Sequence, residues 1–183
     1  MKRIIISLVL ACFAFSVHAQ KDIPAGMRIE VAEIGENDDQ YTIFKYKDED
    51  GTTGYYMSLA HRADNLDFLL EGTSLSISDI DEICLWLGAD SDEALAALED
   101  LLELLDQDAG TEREFVCRQA RGIRLSTEPS SITGVVKKRL LWGKYLSFSF
   151  ISRDRTMEVS LSKSNVKQLR SSFKIDLKLH PNQ

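Results

Sequence analysis

The residues able to act as nucleophiles or soft metal ligands are few in this 183-residue chain: three cysteines and three histidines. Cys12 and His18 fall in an N-terminal segment treated below, which leaves Cys84, Cys117, His61 and His180. A thiol paired with an imidazole makes a nucleophile and a base. That chemistry needs an accessible thiolate, and burial in apolar surroundings makes a thiol inert. Cys84 falls in the apolar stripe Ile80, Ile83, Cys84, Leu87, and Cys117 alternates with Phe115, so both are expected to face inward. His61 is expected to cap a strand at the surface. His180, beside Pro181, is expected to be solvated.

Other catalytic and metal patterns are missing. The sequence holds no G-x-S-x-G elbow, glycine-rich phosphate loop, paired C-x-x-C or H-E-x-x-H. Asp48-Glu49-Asp50-Gly51 has the acidity of a calcium loop without its alternating aspartates and later glutamate. It reads as an exposed hairpin turn. The acid pairs Asp79/Asp81 and Asp90/Asp92 suit helix starts, where the dipole favours negative charge. No catalytic residue, metal ligand or cofactor is therefore assigned from sequence.

The N-terminus fixes the expected compartment. Lys2 and Arg3 precede an uncharged, mostly apolar run over residues 4–17, and Val17-His18-Ala19 supplies small residues at −3 and −1 of a cleavage site. A membrane-spanning helix needs about 20 apolar residues, so this run is short for one. It reads as a signal peptide, residues 1–19, cleaved after Ala19, of a secreted or periplasmic protein that is not transmembrane. A lipoprotein acylated at Cys12 is a weaker reading, because Leu10 is large for its place. In an oxidising compartment, Cys84 and Cys117 are the candidate pair for one disulfide. The alternative is two separate buried thiols.

The elements that would position any site are read from periodicity. Strands are expected over 27–34, 40–47 and 53–60, with a hairpin or broken strand over 66–70 and 73–78. Asp79 and Glu82 then suggest a cap for a helix with the stripe Ile80, Ile83, Leu87. A second helix is expected over 91–107, capped by Asp90 and Glu93. Further strands follow over 114–125, 132–138, 140–152 and 156–162, then a helix with Asn165 and Gln168 at its start and the stripe Val166, Leu169, Phe173. The closing "FKIDLKLH" alternates Phe173, Ile175, Leu177 and Leu179, which suits a final strand. Short connections favour antiparallel pairing. The expected class is α+β, with helices on one face of an antiparallel sheet.

Two ordered blocks recur. "GYYMSLA" at 54–60 resembles "GKYLSFS" at 143–149, and "TSLSISDIDEICLWL" at 73–87 resembles "VSLSKSNVKQLRSSF" at 159–173. We therefore expect two related β-sheet-plus-helix units, 20–89 and 111–183, joined by an acidic connecting helix in 90–110.

Function is read from surfaces. Leu95, Leu98, Leu101, Leu102 and Leu105 give the 91–107 helix an apolar face wider than one sheet contact needs. One reading is that the protein itself covers both sides of this helix; the sharper one is an exposed face that docks a partner or a second copy. Charge is unevenly divided: residues 63–112 carry 15 acidic and no basic side chains, while 113–183 carry 15 basic and 5 acidic. One reading is internal complementarity between the acidic helix and the basic second unit. The other is an anion-binding surface formed by Arg118, Arg121, Arg124, Lys137, Lys138 and Arg139. Nucleic acid is not an expected partner of an exported, net acidic chain. The leading expectation is a non-enzymatic binding protein with an unknown envelope or extracellular partner; the alternatives are a binder of a small apolar ligand or lipid, and an enzyme of unrecognised type.

Overall fold

The computed structural model of the chain describes residues 23–35, 40–60, 81–121, 124–140, 143–152 and 155–180. Its elements are β1 (Met27–Ile34), β2 (Tyr41–Lys47), β3 (Thr53–Ala60), β4 (Asp81–Gly88), α1 (Ser91–Asp106), β5 (Glu112–Arg121), β6 (Arg124–Leu125), β7 (Ser130–Arg139), β8 (Gly143–Ser152), β9 (Arg155–Ser162) and α2 (Lys163–Leu179). The fold is α+β, and every strand pairing is antiparallel. The sheet order follows the chain, β1-β2-β3-β4-β5-β7-β8-β9, with β6 alongside β5.

Strand alternation sorts the side chains onto two faces. Tyr41 and Ile43 of β2, Tyr55, Met57 and Leu59 of β3, and Ile83, Leu85 and Leu87 of β4 enter the main core. The same core takes Ala94, Leu98, Leu101, Leu102, Leu104 and Leu105 from α1, and Val166, Leu169 and Phe173 from α2. Both helices thus cover one face of the sheet. On the other face, Phe44, Tyr46, Tyr56, Cys84, Ala120 and Leu125 form a second buried cluster, with Trp86 packed against it. The Trp86 ring lies over Gly54: a Cβ there would come within 2.1 Å of the indole. Glycine at 54 is what lets the ring approach the β3 backbone this closely.

The sheet curls around α2. This helix packs against β1 and β2 at one end of the sheet order and against β9 at the other. The Tyr41 hydroxyl donates a hydrogen bond to the Ser160 carbonyl. In a flat sheet β2 and β9, six places apart, would be separated by roughly 29 Å at about 4.8 Å per strand. Only strong curvature brings them within reach of one side chain.

Several expectations are corrected. The stretch carrying Ile83, Cys84 and Leu87 is strand β4, not a helix. Both of its faces are buried, so its apolar residues run almost without interruption, and such a run also fits helical spacing. The closing segment is not a strand: α2 continues to Leu179. It begins earlier than expected, with Ser162 as N-cap and Asn165 completing a capping box. The first block of the echo maps strand on strand, β3 and β8. The second block diverges, because Asp81–Gly88 is strand and Lys163–Leu179 is helix. Strand β4 also pairs directly with β5, so one sheet runs through the expected joint. His61, the 66–70 and 73–78 strands, Asp79, Ile80 and the signal segment lie outside the described residues.

Candidate functional site

A cleft among the described residues lies where the ends of several elements meet. It is a cavity of about 550 Å³ lined by the end of α1, the start of β8, the β9–α2 junction and Tyr41. Four elements place its polar groups. Arg139 ends β7, Lys144 stands at the start of β8, Lys163 is the first residue of α2, and Asp106 is the last residue of α1.

Local structure explains each position. Helix α1 ends with no basic residue in its last turn, so its terminal carbonyls need donors from elsewhere. Lys144 supplies them: its Nζ donates to the Asp106 carbonyl at 3.0 Å and to the Gln107 carbonyl at 2.5 Å. Lys163 donates to the Asp106 carboxylate, and this contact holds that carboxyl below the usual range. The Arg139 guanidinium stacks on Tyr145, 4.6 Å from the ring centroid. Ser162 caps α2, whose first-turn residues Ser164 and Asn165 complete the wall. Three cations and a helix N-terminus therefore face one carboxylate, and the cleft is electropositive. Lys144 and Lys163 already serve the end of α1. Arg139 is the exposed cation whose contact there is a ring rather than a carboxylate.

The sequence-derived site residues scatter. Arg118 lies on the outer face of β5, paired with Asp48 at 2.6 Å and 5.7 Å from the Tyr56 ring. Arg124 is exposed on β6, and Lys138 is exposed near the end of β7. Lys137 pairs with Glu158 at 2.8 Å, and Glu158 also accepts a bond from Ser147; both donors hold the Glu158 carboxyl below its usual range. Arg121 lies at the end of β5, opposite Asp81. Of the six basic residues named from sequence, only Arg139 lines the cleft. Lys144 and Lys163 were missed because their proximity depends on the curl, which no local pattern encodes.

The other candidate residues are corrected by packing. Leu98, Leu101, Leu102 and Leu105 are buried in the chain's own core, and Leu95 packs against it. The helix is wide in apolar surface because it meets both the sheet and α2, so these leucines are not a free docking face. Acidic α1 instead meets basic residues from the C-terminal half: Arg170 binds Glu99 at 2.5 Å, Arg113 lies 3.9 Å from Asp100, and Lys163 binds Asp106. Internal charge complementarity is therefore present. Cys84 and Cys117 are both free. Cys84 stands opposite Arg118 while Cys117 stands opposite Leu85, so the thiols project from opposite faces of adjacent strands and cannot bridge. Burial pushes the Cys84 thiol well above its ordinary value and raises Cys117 as well.

Among the described residues, no group of three or more histidine, cysteine, aspartate or glutamate side chains is placed to hold a metal ion. No described helix is long and apolar enough to cross a membrane. No protein-family model, curated protein or solved structure matched this chain.

Proposed function

We propose that this chain is a non-enzymatic binding protein that works outside the cytoplasm and takes an anionic oxygen group of its partner, a carboxylate or phosphate, into the cleft beside Arg139. The observation that carries the reading is the convergence of Arg139, Lys144, Lys163 and the α2 N-terminus around one cavity. An export signal over residues 1–19 supports the compartment. Thiols held protonated by burial support a non-catalytic role. The charged groups in the lining, Arg139, Lys144, Lys163 and Asp106, argue against a small apolar ligand here.

Arg139 is the group available to the incoming anion, since a guanidinium can offer two parallel N–H donors to one carboxylate or phosphate. Lys144 and Lys163 set the local potential while remaining bound to the end of α1. Titration of the purified protein with inorganic phosphate and with acetate, followed by amide shifts in NMR, tests this reading. Shifts should centre on residues 143–145 and 162–165, and Arg139→Gln should weaken them about tenfold, the loss of one charge-assisted contact of about 1.5 kcal/mol. Unchanged binding in Arg139→Gln would remove the reading. Lys144 is a poor probe, because its loss would also uncap α1.

A further inference from the structure

Helix α2 presents a second basic feature that the cleft does not use. Beyond Lys163, which lines the cleft, Lys167, Lys174 and Lys178 follow at spacings of 7 and 4 residues. At 100° per residue these three fall within an arc of about 40° and run for about 17 Å along the axis. Lys167, Lys174 and Lys178 are exposed. Val166, Leu169 and Phe173, the buried stripe, are centred about 120° away around the helix. Beside the lysines, one turn apart, stand Ile175 and Leu179, which are 58% and 69% exposed. The acidic groups near this helix are turned elsewhere: Asp106 binds Lys163, Glu99 binds Arg170, and Asp176 binds His180.

We infer that the outer face of α2 docks on an anionic lipid bilayer. Three exposed lysines in line, Lys167, Lys174 and Lys178, are complementary to a plane of negative headgroups rather than to a single anion. The two aliphatic side chains at the same level as Lys174 and Lys178 have no role in the fold. They fit the boundary between headgroups and acyl chains, where an interfacial helix buries its apolar residues. A soluble polyanion would satisfy the lysines but leave Ile175 and Leu179 in water. Binding is expected to be reversible, because a few lysines and two side chains fall far short of an anchor. The lysines tested below do not line the cleft, so this surface stands or falls independently of the anion site.

Vesicle co-sedimentation of the full chain tests the inference, with parent and variants compared because residues 4–17 are themselves apolar. The parent should bind phosphatidylglycerol–phosphatidylcholine vesicles more tightly than pure phosphatidylcholine, and salt should weaken the difference. The triple variant Lys167→Gln, Lys174→Gln, Lys178→Gln should lose about a hundredfold in partitioning, roughly fivefold per lysine. Ile175→Ser with Leu179→Ser should lower the binding that survives high salt. All five side chains are exposed, and circular dichroism of each variant verifies the fold. Equal binding by the triple variant would overturn the inference. So would preference for heparin over vesicles with no effect of the serine pair, which would make the partner a soluble polyanion.

Discussion

At the scale of single residues, the outer-face aromatic cluster sets an unusual titration. Tyr56 contacts Phe44, Tyr46 and Trp86, with ring centroids 5.8, 6.3 and 5.0 Å away. Burial raises its phenol to about 12, against a smaller opposing effect from the Arg118 guanidinium. The folded protein therefore holds this proton through a range where the unfolded chain, near 10, releases it. Stability from the neutral phenol is fully present below pH 10 and is lost as the pH climbs towards 12. Absorbance at the phenolate band should show Tyr56, and with it the buried Tyr55, titrating with the alkaline unfolding transition rather than ahead of it. In Tyr56→Phe, stability between these pH values should fall less steeply; an identical slope would mean the phenol is not protected. Cys84 belongs to the same cluster, and its reading from sequence was half right. Burial was legible in its apolar neighbours, whereas its face was not, because that depended on whether the segment was helix or strand.

At the scale of elements, α2 offers a direct test of secondary structure. As a strand, the closing segment would put Phe173 and Ile175 on the same face. As a helix it separates them, and Phe173 is fully buried against Tyr55, at 5.3 Å between centroids, while Ile175 is exposed. Phe173→Ala should cost about 3–5 kcal/mol in urea unfolding, and Ile175→Ala less than about 0.5 kcal/mol. Comparable losses at both positions would contradict the helix. Strands β1 and β9 were legible in their period-two patterns, and β2 and β3 as aromatic-rich runs bounded by turn residues. The cap of α1 was legible: Asp90 Oδ1 accepts from the amides of Asp92 and Glu93 at 2.9 Å. Strand β4 was not legible, since burial on both sides erases alternation. The end of α2 was not legible either, because Phe173, Ile175, Leu177 and Leu179 alternate as in a strand, and only Phe173 and Leu177 fit the buried side of the helix.

At the scale of the whole molecule, curvature decides what the chain can present. The Tyr41 hydroxyl and the Ser160 carbonyl are 119 positions apart and lie on strands at nearly opposite ends of the sheet order. Tyr41→Phe should cost about 0.5–1.5 kcal/mol. It should also widen the cleft that Tyr41 lines, read as altered amide shifts at Ser162 and Asn165. A variant with parental stability and an unaltered spectrum would show that this contact does not hold the two ends together. The division of charge was visible in sequence as a total, and its resolution into Glu99–Arg170 and Asp106–Lys163 contacts required the fold. The site was less visible than the fold for the same reason: Arg139, Lys144 and Lys163 converge through the curl, not through their spacing.

Helix α2, which closes the described structure, is also what lies over β1 and β2, which open it. A chain delivered in order, N-terminus leading, can therefore zip its meander strand by strand while Ile43 and Tyr55 still lack their roof. A product cut short before Lys163 would keep every hairpin yet leave that concave lining bare and sticky, ready to be recognised by proteases as unfinished. Docking of α2 and shielding of the earliest strands are, in this topology, one event.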